Sequence, residues 1–205
     1  VCLHAGSADE LTCFSRDKFD LVVINSVTQY FPNEMYLRKV IQQAMEVLAP
    51  GGVLFIGDVR DFSRLQGFYA SIVLYHAKNS HEAMSKSRLD AAVLKYLALE
   101  EELAISPALF ADLEASLDTV DGFSVDYQGG YGQNEMRHYR YDVCLWKNGS
   151  NHKMPDILPS HQRFSSVSAM LRGGKGEALI YLPLVLDARV VDEYQALGLV
   201  EADNN

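Results

Sequence analysis

Phe19-Asp-Leu-Val-Val-Ile-Asn25 is the stretch on which the fold turns. An apolar, β-branched run that closes on a side-chain amide suits a buried strand of a parallel sheet, with its C-terminal end opening onto a site. From Glu34 to Leu48, the residues Tyr36, Leu37, Val40, Ile41, Ala44, Met45, Val47 and Leu48 recur at three- and four-residue spacing, which places them on one helical face. Ala49-Pro50-Gly51-Gly52 stops that helix, because proline cannot continue it and glycine accepts the left-handed cap conformation. Val53-Leu-Phe-Ile-Gly-Asp58 follows as a second buried strand, and it ends in a carboxylate. Strand, helix and strand joined by a short return form a βαβ unit. The predicted class is therefore α/β, a mostly parallel sheet with its ligand edge at the strand C-termini.

Downstream, Phe62–Lys78 and Ser85–Leu103 have helical periodicity, with Ser80 and Ser85 as starters, and read as a helical lid over about residues 60–105. Phe123–Gln128 and Met136–Lys147 alternate with a period of two. Arg137, Tyr139, Tyr141, Val143 and Leu145 fall on one parity, and His138, Arg140, Asp142, Cys144 and Trp146 on the other. Such a pair suits antiparallel strands at a sheet edge. Asn148–Ser160, rich in Asn, Ser, Pro, Gly and His, reads as a linker. A helix at Ser165–Leu171, a strand at Glu177–Leu182 and a helix at Ala188–Leu197 would then make a small α/β extension, dividing the chain into 1–147 and 148–205.

Composition excludes several classes of function. The 205 residues are 48% apolar and 22% charged, with no run near the roughly 18 apolar residues a spanning helix needs, so a membrane role has no support. A net charge of -9 argues against a nucleic-acid surface, which needs Lys and Arg gathered on one face. Cys2, Cys13 and Cys144 are too few and too irregular for a disulfide framework or a zinc site, and the six histidines show no HExxH-like spacing. A reducing cytosol and no metal are the expectations. The chain begins with Val and carries no secretory leader, which predicts a piece excised from a larger protein.

Four blocks carry a resemblance. Phe19-Asp-Leu-Val-Val-Ile-Asn-Ser-Val-Thr-Gln-Tyr-Phe-Pro32, Leu48-Ala-Pro-Gly-Gly52 with Phe55-Ile-Gly-Asp-Val-Arg60, Glu100-Glu-Glu-Leu-Ala-Ile-Ser-Pro107 and Asn134-Glu-Met-Arg-His-Tyr-Arg-Tyr-Asp-Val143 resemble the N-methyltransferase domains inserted in nonribosomal peptide synthetases. The likeness continues to Asp187-Ala-Arg-Val-Val191. Leu-x-Pro-Gly-Gly is common to many class I methyltransferases, whereas Asn-Ser-Val-x-Gln-Tyr-Phe-Pro is much sharper. The resemblance implies a Rossmann-like class I methyltransferase sheet and S-adenosylmethionine as cofactor. It also implies an acceptor held as an aminoacyl thioester on the phosphopantetheine arm of a carrier protein, and the adenylation domain of a host synthetase as neighbour. The glycine-rich loop and the acidic strand end with which that class opens are not in this sequence, so Val1 falls at the class's third strand and the likeness covers the part from there onward.

The resemblance also distributes roles. Ser7, Ala8 and Asp9 occupy the loop beside the adenine, where an Asp carboxylate can accept the exocyclic amine; the alternative is that Asp9 caps a helix starting near Glu10. Asn25 and Ser26 end the strand where the reactive sulfonium should lie. An amide oxygen there can hold the hydrogens of an uncharged amine whose lone pair points at the methyl carbon, with Gln29 and Tyr30 adding polar and aromatic contacts. The alternative is an Asx-turn with Tyr30 in the core. Asp58 can orient or deprotonate the substrate ammonium beside Arg60, unless the two merely pair with each other. Tyr69, His76 and His81 suit lid packing or surface better than chemistry. Glu135, Arg140 and Asp142 suit either substrate contact or an ion-pair network between the last strands. Arg60, Arg64, Lys78, Lys86 and Arg88 form a basic concentration that would attract an acidic carrier protein. C- or O-methylation of a polyketide or peptide intermediate, and a non-catalytic insert, are the competing functions.

Overall fold

The structure, a computed structural model, describes residues 3–81, 83–127, 138–149, 157–159, 179–181 and 197. Strand β1 (Phe19–Asn25) forms where its β-branched run predicts, but it is half-exposed rather than buried on both faces. Among the described residues it pairs only with β2 (Leu48–Arg60), so Leu21 and Val23 each remain 56% exposed. Helix α1 (Glu34–Val47) begins at Asn33, whose side chain accepts the Tyr36 N–H at 2.9 Å. Its buried face, Leu37, Val40, Ile41, Ala44, Met45 and Val47, is the face the spacing predicts.

Strand β2 follows α1 without a gap, so the stretch expected as a stop loop is the irregular start of the strand. Phe19 pairs with Leu48 and Leu21 already with Val53, which leaves Ala49 to Gly52 looped out of the ladder. Gly51, at φ 80°, makes that turn and donates its N–H to the Asn148 carbonyl at 3.2 Å.

The described core sheet has the order β1-β2-β4-β3, with β3 (Val120–Tyr127) and β4 (Arg140–Lys147) forming the antiparallel pair predicted for the edge. β1, β2 and β3 run in one direction and β4 runs against both its neighbours, so the antiparallel strand is inside the sheet and β3 is the rim. Burial explains the order. Tyr141, Val143 and Leu145 are 0% exposed, whereas β3 is mostly half-buried, so the strand with the stronger apolar parity takes the interior place. These residues pack on α1 and on α4 (Ala108–Ser116) through Leu109, Phe110 and Leu113. Each such fully buried aliphatic or aromatic side chain is worth about 1.5–3 kcal/mol.

The stretch expected as a lid forms α2 (Leu65–Asn79) and α3 (Lys86–Ala98), joined by a second cluster in which Leu65, Tyr69, Ala70 and Val73 meet Leu89 and Val93. Ser85 caps α3 by accepting the Arg88 N–H. Ser80 instead ends α2, its hydroxyl donating to the His76 carbonyl at 2.9 Å. α3 stops short of the predicted Leu103 because the next residues have better partners elsewhere. The Leu103 N–H donates to the Gln29 carbonyl and the Ile105 N–H to the Arg60 carbonyl, both at 2.8 Å. This strap, Glu100–Ile105, lies along the end of β2.

In the tail, β5 (Ile157–Pro159) pairs in parallel with β6 (Leu179–Tyr181). β6 lies within the strand predicted at 177–182, while β5 arises in the stretch expected to be a linker. The helix predicted at 165–171, Glu135 and the Met136 start of the last strand lie outside the described residues, as does the helix predicted at 188–197 except for Leu197, which packs on the lid. No described helix is long and apolar enough to cross a membrane.

Candidate functional site at the C-terminal ends of β1 and β2

The parallel register pairs Asn25 with Gly57, so the two strands deliver their last side chains to one place. A Cβ at position 57 would collide with Asn25 Oδ1 and stand 2.7 Å from Phe55 Cε1, so glycine is what lets the carboxamide lie across the neighbouring strand. The two strands then part at left-handed, non-glycine residues, Ser26 at φ 57° just after β1 and Asp58 at φ 64° within β2, which runs on against β4 to Arg60. The Ser26 N–H donates to the Gly57 carbonyl at 3.1 Å, and Asn25 Nδ2 donates to Ser26 Oγ at 3.1 Å. Asn25 and Ser26 are exposed.

Asp58 owes its position to a bulge. The β2–β4 register shifts between Ile56 and Val59, which sets Gly57 and Asp58 together opposite Asp142. The Asp58 N–H donates to Asp142 Oδ1 at 2.8 Å, and Arg140 donates to Asp58 Oδ2 at 3.0 Å. The residue is 5% exposed, and its Oδ1 has no partner among the described residues. The network expected of Arg140 and Asp142 is therefore present, tied to β2.

Arg60 does not pair with Asp58, contrary to one expectation, because beyond the bulge it turns toward the strap. It donates to Glu100 at 2.8 Å, lies 3.0 Å from Glu102 and sits over the Phe68 ring at 5.8 Å. Tyr69 donates to the same Glu100 oxygen at 2.5 Å and stacks on Tyr96, so it is a supporting lid residue. Burial alone would raise the Glu100 pKa; the hydrogen bonds from Arg60 and Tyr69 and that from the Glu102 N–H outweigh it and bring the carboxyl down to about 2.

After β1, Gln29 Nε2 donates to the Ser26 carbonyl at 3.1 Å. Thr28 Oγ1 and Gln29 Oε1 are buried and, with Asp58 Oδ1, have no partner among the described residues. Tyr30 is 72% exposed, so it belongs to neither the core nor the packed site wall.

Ser7, Ala8 and Asp9 lie beside α1 rather than beneath a helix. The turn at Leu11–Cys13 has no side-chain cap, and the Ser7 N–H donates to Glu10 Oε2 at 3.0 Å. Asp9 accepts from the Tyr36 hydroxyl at 2.9 Å and from Lys39 Nζ at 2.6 Å, which fastens the loop to α1. The bond from Lys39 and then that from Tyr36 hold its carboxyl below the usual range.

Between the strand ends and the lid opens a cleft of about 500 Å³, walled by Phe31, Pro32, Phe62, Leu65, Leu97 and Leu103 and rimmed by Glu100, Glu101 and Glu102. None of these residues has a role legible from the sequence, although Glu100–Pro107 is one of its motif blocks. The basic concentration fares differently. Arg60 is 6% exposed, Arg64 donates to the His138 carbonyl at 2.9 Å and covers Tyr127 at 3.7 Å, and Lys86 pairs with Asp90 at 2.9 Å. Arg60 and Arg64 are thus taken up by structural contacts, whereas Lys78, Lys86 and Arg88 are exposed. His76 and His81 are exposed, and His76 lies on the order of 16 Å along α2 from Leu65. Among the described residues no cluster of His, Cys, Asp and Glu is arranged to hold a metal ion.

The family model described as "Methyltransferase domain" matches residues 1–56. The chain is 38% identical over 77% of its length to chondramide synthase of Chondromyces crocatus, covering 4% of that protein. It is 37% identical over 71% of its length to a probable non-canonical nonribosomal peptide synthetase of Salinispora arenicola, covering 2% of it. It is also 33% identical over 70% of its length to cyclosporin synthetase of Tolypocladium inflatum, covering 1%. The chain thus spans a few per cent or less of these relatives. Among solved structures, the N-methyltransferase NodS from Bradyrhizobium japonicum, in complex with S-adenosyl-l-homocysteine, aligns with a TM-score of 0.37 at 18% identity over 71% of this chain and 53% of that one. An O-methyltransferase family protein from Burkholderia thailandensis aligns with a TM-score of 0.39 at 16% identity over 73% of this chain and 36% of that one.

The class to which residues 1–56 are similar is the methyltransferase domain. Within it, the particular likeness of this chain is to segments of nonribosomal peptide synthetases, as its motifs predict.

Proposed function

We propose that this chain contributes the strand-end half of a site that N-methylates an aminoacyl thioester carried on a phosphopantetheine arm, within a synthetase that also holds an adenylation domain. The observation carrying the reading is the Asn25–Gly57 register, which sets an exposed carboxamide across from the residue before Asp58, whose Oδ1 has no partner among the described residues. Bound S-adenosylmethionine supplies an electrophilic methyl group. The residues present fit such a donor at the ends of β1 and β2, where Gln29 Oε1 and Asp58 Oδ1 have no partner among the described residues and Asn25 and Ser26 are exposed. Ser7, Ala8 and Asp9 would take the adenine, Asp9 using the lone pairs that Tyr36 and Lys39 leave free.

Asn25 Oδ1 accepts a hydrogen from the acceptor amine and thereby aims its lone pair without adding positive charge. Asp58 Oδ1 holds the incoming ammonium and takes the proton it must lose. Gln29 steadies the turn after β1 through Ser26, and Arg60 steadies the strap through Glu100. The lid over the cleft keeps water from the reacting groups. Asn25→Ala should lower N-methylation of an aminoacyl thioester at least tenfold, in line with the loss of one preorganised polar contact. Turnover within about threefold of the parent would remove Asn25 from the chemistry.

A further inference from the structure

We propose that the cleft beneath the lid is the pocket for the acceptor's side chain, and that it selects an apolar aminoacyl group whose ammonium the carboxylate rim attracts on its way to Asp58. This rests on the N-methylation reading and names its substrate class. The cleft lies at the C-terminal ends of β1 and β2, since Phe31 and Pro32 follow β1 and Phe62 and Leu65 follow β2. Its floor is bound directly to the site, through the Leu103 N–H on the Gln29 carbonyl and Glu100 on Arg60.

Two features choose the ligand. Phe62 is 63% exposed while its backbone N–H is fixed on the Ile105 carbonyl at 3.2 Å, so most of a large aromatic side chain stands open at the cleft wall. An apolar side chain would cover it. A polar one would lose its water against Phe31, Leu97 and Leu103 and find no side-chain donor among them. The second feature is charge. Glu100 and Glu102 share the single guanidinium of Arg60, and Glu101 has no ion-pair or hydrogen-bond partner among the described residues. Three carboxylates against one cation leave the rim negative, which suits an ammonium and repels an acidic side chain.

The test uses the intact protein with N-acetylcysteamine thioesters of leucine, asparagine, glutamate and isocaproate, the last being leucine without its amine. Binding and turnover are measured separately. Leucyl thioester should bind and react at least tenfold better than the asparaginyl and glutamyl ones. Phe62→Asn, a change at an exposed position, should reduce that preference several-fold. Glu101→Gln should weaken leucyl but not isocaproyl binding. Equal binding of leucyl and asparaginyl thioesters, or a preference untouched by Phe62→Asn, would overturn the pocket. If the binding order appears but no thioester is methylated on nitrogen, the proposed reaction falls while the pocket stands.

Discussion

At the scale of single residues, the site depends on Gly57 having no side chain. Gly57→Ala would drive a methyl group into the Asn25 carboxamide and against Phe55, at a cost of about 1–3 kcal/mol from overpacking. We expect a small drop in the denaturation midpoint with a much larger loss of turnover, because the displaced group is Asn25; an unchanged rate would separate the carboxamide from catalysis. Glu100 gives a second prediction. Its carboxyl is depressed in the folded protein to about 2 from an ordinary 4.5, so its contribution to stability is complete above the ordinary value and is lost as pH falls toward about 2. Glu100→Gln should therefore flatten the acid limb of the stability profile in that window, as read by chemical denaturation across pH. Asn25 was legible because a polar residue closing an apolar β-branched run marks a strand end, whereas β2 runs two residues beyond Asp58, to Arg60. The partners of Asp58 and Arg60 were not legible. One bulged residue sends these neighbours to Arg140 and to Glu100, and no spacing rule reveals a bulge in advance.

At the scale of elements, the strap Glu100–Ile105 is what the sequence hid. Its Leu and Ala residues continue the helical period of α3, yet the N–H groups of Leu103 and Ile105 bond to Gln29 and Arg60, so tertiary partners override local preference. Helix α4 was missed for the opposite reason. It has nine residues, and Leu109, Phe110 and Leu113 make little more than one turn of pattern. The strap is pinned from below by the buried Tyr141 hydroxyl, which donates to the Ile105 carbonyl at 2.8 Å. Tyr141→Phe leaves that carbonyl without its side-chain donor and should cost about 1–2 kcal/mol. Hydrogen exchange should quicken at Leu103 and Ile105 while α1 remains protected; equal protection in the variant would mean that the strap is held by other contacts.

At the scale of the molecule, the βαβ unit was readable from period and punctuation alone, and so was the alternating pair that closes the sheet. The place of β4 inside the sheet was not, since order depends on which strand buries its apolar parity most completely, and that is settled by α1 and α4 packing on Tyr141, Val143 and Leu145. The sheet carries the central claim, that two parallel strands bring an amide and a carboxylate to one methyl-transfer site. Mass spectrometry of leucyl thioester incubated with S-adenosylmethionine and the intact protein tests it most directly, run in parallel with Asn25→Ala. One methyl group on the amine nitrogen, formed at least tenfold more slowly by the variant, is the expected result. A methyl group on carbon or oxygen, or equal rates for the two proteins, would contradict it.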